Sequence, residues 1–353
     1  MKTQLLIVVG VLVVGGILSW TFLAVASTQA FSGSTSLGSL AEENEDIDES
    51  VMTIKRNLKG EIIKDDSQIP YPIGVMIENL PSVRPQSGLQ GASIVYETFV
   101  EGLATRFLVM YEKDGLTEIG PVRSARPYYT QWVSEYDSLY AHCGGSPEAL
   151  INIYNWELNS INQIGGDWQY YWRDPGKGAP HNLYTSSELL YRALVDKELV
   201  NKKPEYQAWS FKEDIPLAER PTEEKFVRLP MSGGSWAVEY NYDPIQNNYL
   251  RSNGGYEHQD KNIGETIRVK NVVVQIIPEI VAFGELGRLT LEVEGEGEAL
   301  IFMDGGYNIG TWKKTGTNDR TMFYYSDGTE VEFNIGNTWI EVVPMGYETV
   351  EYN

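Results

Sequence analysis

One cysteine, Cys143, stands in the 353 residues. The chain therefore has no internal disulfide and no cysteine-rich metal site. Histidine is nearly as scarce: His142, His181 and His258 are the full set, and none shows metal-ligand spacing. Positive charge is the third shortage. Lys and Arg total 28 against 49 Asp and Glu, for a net charge of −21. That balance excludes nonspecific attraction to nucleic acid or anionic lipid headgroups, but not a local basic pocket. Heptads, internal repeats and a second long apolar run are also missing.

The one long apolar run lies at the N-terminus. Residues 5–26 are almost wholly apolar, and no charged side chain occurs from Thr3 to Ala41. About 20 such residues cross a bilayer. Lys2 precedes the run, and Glu42, Glu43, Glu45, Asp46, Asp48 and Glu49 follow it. A basic residue favours the cytoplasmic end, so a single-pass transmembrane helix with an extracytoplasmic remainder is expected. Ala24-Val25-Ala26 also fits the small-x-small pattern of a cleaved signal peptide. Both readings export the chain, and a lone thiol in an oxidising compartment is best kept buried.

The rest divides by composition. After the anchor over 1–26, a flexible acidic stalk is expected over 27–68, with order beginning near Ile69. A mixed α/β domain over 69–210 follows, then a linker over 211–230 and a β-rich domain over 231–353. In the first domain, β-branched and aromatic runs predict strands over 73–77, 92–100, 106–111 and 139–142. Helices are expected over 127–137, 147–156 and 186–198, the last opened by a capping box from Thr185 to Glu188. In the second, strands over 266–277, 288–294, 298–303, 321–325, 330–335 and 338–343 alternate with turn signals such as Asp304-Gly305-Gly306. That pattern predicts a mostly antiparallel β-barrel or sandwich. The fold class is α+β.

Four arginines stand out in so acidic a chain: Arg84, Arg106, Arg123 and Arg126. A guanidinium fork matches phosphate or carboxylate oxygens, so the set suggests an anion pocket. The competing reading pairs them internally with Glu78, Glu97 and Glu101, as buried arginines usually are. Gly144, Gly145 and Ser146 lead from a strand to a helix, with Ser146 as N-cap and Pro147 at the first helical position. Free amides there can receive an anion, though the Walker ending is missing. A well-capped helix start explains the same residues.

Adjacent strand residues face opposite sides, so His142 and Cys143 cannot form a dyad directly. Glu97 and His181 are the candidates for handling protons. Arg251, His258 and Asp260 form a polar island in the second half, either a site edge or an ordered loop. No cofactor and no metal is expected.

Several runs resemble the YerB-like lipoprotein family, a pair of N- and C-terminal domains of unknown function. They are Gly74-Val75-Met76-Ile77-Glu78-Asn79, Arg84-Pro85-Gln86-Ser87-Gly88-Leu89, Ile94-Val95-Tyr96-Glu97, Gly120-Pro121-Val122-Arg123-Ser124-Ala125-Arg126, His142-Cys143-Gly144-Gly145-Ser146-Pro147 and Pro180-His181-Asn182. Asn271-Val272-Val273-Val274-Gln275 and Gly336-Asn337-Thr338-Trp339-Ile340 extend the resemblance into the second half. It implies an exported bacterial protein, commonly fixed through a lipid-modified cysteine. Here Ser27 takes the place a lipobox gives to that cysteine, which leaves anchoring to the apolar segment.

The expectation is a membrane-anchored envelope protein that binds a cell-wall polymer or an envelope protein, and no nucleic acid. The alternative is an extracytoplasmic enzyme acting on a phosphorylated or glycosidic cell-wall precursor.

Overall fold

Four runs of the first half and the short polar-flanked Ser160–Asn162 become strands of a central sheet: Ile73–Glu78 (β1), Ile94–Phe99 (β2), Thr105–Tyr111 (β3), Leu139–His142 (β4) and Ser160–Asn162 (β5). Every residue of β1–β3 except Ile73 is buried. Such strands read as continuous apolar runs because both sheet faces are covered. The second half adds Asn271–Ile277 (β6), Gly295–Met303 (β7), Gly306–Lys314 (β8), Met322–Tyr325 (β9) and Thr338–Pro344 (β10). The order across the ten-stranded sheet is β9-β8-β7-β6-β10-β2-β3-β1-β4-β5.

The computed structural model describes residues 55–63, 69–112, 115–346 and 350–353. The expected anchor lies outside them, as does the expected stalk apart from 55–63. No helix among the described residues is long and apolar enough to cross a membrane. Order starts earlier than residue 69. Lys55–Arg56 pairs antiparallel with Ile62–Ile63, Leu58 is buried, and its amide donates to the Glu112 carboxylate at 2.8 Å. A core leucine within a polar segment docks this hairpin.

Strands of both halves join at β10, which runs parallel to β6 on one side and to β2 on the other. The register sets Glu341 opposite Glu97. The sheet stays open, with β9 and β5 at its edges, so the β-rich half closes no barrel. Residues Thr53–Asn353 form one compact unit. A six-stranded sheet built around Phe226–Leu229, Val238–Asp243 and Asn248–Asn253 lies against the central one. Burial alternates along Val238–Asp243 and Asn248–Asn253, as a sheet with one inward face requires. Tyr240 and Arg251, register partners there, both reach Glu341 of β10.

The three α-helices are Pro127–Ser134 (α1), Pro147–Asn155 (α2) and Ser187–Asp196 (α3). Ser146 caps α2 by accepting the Ala149 amide at 3.3 Å. The cap of α3 is Ser186, which accepts the Leu189 amide at 3.3 Å. Thr185 does not serve as expected because its hydroxyl donates to the Tyr170 carbonyl at 2.8 Å while its backbone bridges Ile119.

Candidate functional site

Parallel strands β1 and β4 pair from Ile73 and Leu139 to Val75 and Ala141, after which β4 ends at His142 and β1 runs on to Glu78, and crevices at the carboxyl ends of such strands are where α/β folds place ligands. The Gly120–Arg126 run crosses this edge. The Arg123 amide donates to the Met76 carbonyl at 2.9 Å, and the Cys143 amide donates to the Arg123 carbonyl at 3.0 Å. These bonds stitch the run between the two strand ends and fix where its side chains emerge.

Glu78 is the centre of the cluster. His181 Nδ1 lies 3.0 and 2.9 Å from its two carboxylate oxygens. Arg123 Nε lies 3.4 Å from the first oxygen, and Arg123 also donates to the Pro180 carbonyl at 3.2 Å. The Glu78 side chain is 4% exposed and that of His181 is 37%. The carboxylate is thus buried behind an imidazole that meets solvent.

The loop over 174–182 presents His181. Trp172–Arg173 pairs with Leu183–Tyr184 at its base. The Asn182 amide crosses it to the Asp174 and Lys177 carbonyls at 3.1 and 3.0 Å. Lys177 Nζ donates to the Tyr184 hydroxyl and lies 4.9 Å from the ring centroid. Lys261 approaches the same ring at 5.8 Å and pairs with Glu118 at 2.8 Å. Its amide donates to the Gln86 carbonyl at 2.8 Å, so a residue of the second half completes a site of the first.

Lys177, His181, Lys261 and Arg84 line one cleft of about 520 Å³, together with Pro85 and Gly178. Arg84 donates to Asn79 Oδ1 at 3.0 Å, to the Asn79 carbonyl at 2.9 Å and to the Ser235 carbonyl at 2.6 Å. All three acceptors are neutral. Burial lowers the Arg84 pKa to about 10, with Arg251 pulling the same way against Glu97.

The other expected anion ligands are dispersed. Arg126 forms a bidentate pair with Glu101 at 2.6 and 2.7 Å. Arg106 is buried and donates to the Ser124 carbonyl at 2.7 Å. It makes no ion pair among the described residues, and burial lowers its pKa, with Arg126 and Arg123 adding repulsion. The Gly144 amide donates to Asn162 Oδ1 at 2.8 Å, and the Ser146 amide to the Ala125 carbonyl at 3.3 Å. Gly145 bridges Ala125. This turn spends its hydrogen bonds on the fold.

Cys143 is half-buried and directs Sγ to Gln163 Oε1 at 3.4 Å. Burial raises its pKa against the pull of Arg173 and Arg123. His142 Nδ1 sits 2.8 Å from the Gly144 carbonyl, and burial lowers the ring's pKa to about 4.

Glu97, Arg251 and His258 meet in the closed interior. Glu97 accepts from Asn79 at 2.8 Å, from Thr105 at 2.5 Å and from Arg251. Arg251 also donates to the Tyr240 hydroxyl at 3.0 Å and lies over the Trp339 ring at 4.5 Å. Its other nitrogen donates to His258 Nδ1, so the imidazole proton is assigned to Nε2, which faces Gln86 Oε1 at 2.8 Å. Burial, Arg251 and Arg84 push the His258 pKa well below its usual value. Asp260 is buried too, accepting the Gly88, Gln90 and Asn262 amides at 3.1, 2.8 and 2.9 Å. These residues join the halves of the chain, and His258, though buried, also lines a separate crevice with Arg84, Ser235 and Tyr256. No group of His, Cys, Asp and Glu among the described residues is arranged to hold a metal ion.

Sequence reasoning placed His181 among the candidates but missed Lys177 and Lys261, and it met Glu78 only as an arginine partner. The Asp174-Pro175-Gly176-Lys177 turn was the one available signal for Lys177. Nothing local marks Lys261, which enters the site from the other half.

Fold and cleft define an α+β protein with a cation-lined crevice where parallel strands end. The chain belongs to the DUF3048 family. Residues 58–200 match "Protein of unknown function (DUF3048) N-terminal domain" and residues 227–340 match the corresponding C-terminal domain. A protein of Bacillus subtilis (strain 168) named "Putative lipoprotein YerB" is 32% identical over 277 residues, covering 77% of this chain and 81% of its own. The crystal structure of the YerB protein from Bacillus subtilis superposes with a TM-score of 0.72 at 30% identity, covering 82% of this chain and 96% of that one.

Proposed function

We propose that this is an extracytoplasmic protein of the bacterial envelope that binds the anionic group of an envelope ligand in the cleft beside His181. The apolar run over 5–26 supports retention at the membrane as a single-pass anchor, and the name of the lipoprotein relative supports association with the envelope. One observation carries the binding reading. In a chain of net charge −21, the cleft is lined by Arg84, Lys177, His181 and Lys261 and by no carboxylate. Lys261 is held by Glu118 and His181 by Glu78 behind the lining, so among the described residues Arg84 and Lys177 are the lining cations not tied to a carboxylate, and clustered cations in a low-dielectric cleft concentrate anions. A phosphate-bearing cell-wall polymer has the required chemistry.

The test is calorimetric titration of the full chain, held in detergent micelles, with a glycerol-phosphate oligomer. Binding should weaken as salt rises. The Lys177→Glu/Lys261→Glu variant should lose about tenfold or more in affinity. Affinity unchanged in that variant would remove the cleft as the binding site.

A further inference from the structure

We infer that Glu78 and His181 form a proton-handling pair that hydrolyses a phosphodiester bound in this cleft. The inference rests on the anion-binding reading above and adds chemistry to it.

The tautomer follows from the partners. An ionised carboxylate only accepts hydrogen bonds, so Nδ1 of His181, at 2.9 Å from Glu78, carries the ring proton. Nε2 is then the basic nitrogen. Arg123 Nε, at 3.4 Å from the same carboxylate, holds Glu78 from its other side. A base oriented by a buried third group is the arrangement that general-base catalysis needs. With Nδ1 committed inward, the exposed ring edge is what His181 contributes to the cleft.

Three alternatives in substrate class fail on the same geometry. Acyl transfer wants amides free to hold an oxyanion, but Gly144 and Ser146 donate theirs to Asn162 and Ala125. A thiol mechanism wants an imidazole beside Cys143, whose Sγ instead faces Gln163. Glycoside hydrolysis wants two carboxyl groups flanking one bond. Glu78 is already engaged by His181 and Arg123, and Glu97 is sealed in the core. A phosphodiester needs what the cleft holds: cations to offset the anion under attack and a base for water.

The step balances without a further reactant. His181 Nε2 takes a proton from water, and the water oxygen bonds to phosphorus. The phosphorus–oxygen ester bond breaks, and the leaving oxygen takes the proton back from Nε2. Glu78 is a positioning residue for the ring.

The experiment uses the full chain in detergent micelles with a chelator present. Bis(p-nitrophenyl) phosphate reports turnover, and the glycerol-phosphate oligomer reports binding by calorimetry. Expected are turnover by the unaltered chain and a fall in kcat of about 100-fold or more in His181→Gln, well beyond whatever oligomer affinity that variant loses. Glu78→Gln should lower kcat with KM retained, which a merely structural role would not produce in a variant whose melting curve is unchanged. Oligomer binding without turnover, or turnover undiminished in both variants, overturns the inference and leaves the binding reading standing. Neither binding nor turnover overturns both.

Discussion

Glu97 and Glu341 face each other on the neighbouring parallel strands β2 and β10, both fully buried, with Arg251 bonded to the first and 3.6 Å from the second. One guanidinium cannot neutralise two carboxylates in a dry interior. The pKa of Glu341 is accordingly pushed up to about 8, by burial and then by the Glu97 charge, with Arg251 opposing.

The first expectation concerns pH. A carboxyl group raised from 4.5 to about 8 on folding keeps its proton in the native state over a range where the unfolded chain has lost it. The stabilisation is full below about 4.5 and is lost as pH climbs to about 8. Denaturant titrations across that window should show stability falling with pH, and Glu341→Gln should flatten the slope. Arg251→Met leaves buried carboxylates unpaired and should cost about 3–5 kcal/mol. A pH slope unchanged in Glu341→Gln would show that the proton sits elsewhere.

Arg123 and Arg126 lie three residues apart and should behave oppositely. Arg126 is locked on Glu101, so Arg126→Gln should lower stability by about 1–3 kcal/mol without touching oligomer affinity. Arg123→Gln frees one side of Glu78 and should alter the His181 cleft with a smaller effect on unfolding. Chemical denaturation beside calorimetry separates the two. A larger binding loss in Arg126→Gln would reverse the assignment.

The lone thiol offers a chemical check. Burial holds the Cys143 pKa above its usual value, so little thiolate exists at neutral pH. Labelling by iodoacetamide should be slow in the native chain and fast after unfolding. Rapid native labelling would contradict the half-buried position and the contact with Gln163.

Local pattern carried the elements but not their neighbours. The expected strand over 73–77 is β1 almost residue for residue, and the Asp304-Gly305 signal is a turn with both residues at positive φ, as a two-residue hairpin linking β7 and β8 requires. That β10 lies beside β2 was not legible. The pairing joins residues about 240 positions apart, and register between distant strands follows from packing rather than from either strand's own sequence. The same holds for the site. Arg106, Arg123 and Arg126 share a run of chain or a strand end, yet one is paired, one half-paired and one buried on a carbonyl. Charge and spacing do not encode which carboxylate a guanidinium meets. Glu97 and His258 read as site residues because buried polar groups and site groups have the same composition. Burial alone does not separate them, since Glu78 is buried too; its contact with the solvent-facing His181 does.

The cleft has a built-in reporter. His142 and His258 are buried, at 1% and 2% exposure, while His181 opens on the cleft. Long-range proton–nitrogen NMR of the three imidazole rings, recorded while glycerol phosphate is added, therefore separates the site from the rest of the protein. The expected result is a saturable shift of the His181 resonances with those of His142 and His258 unmoved, abolished in Lys177→Glu/Lys261→Glu. A His181 ring indifferent to the anion would contradict a binding site in this cleft.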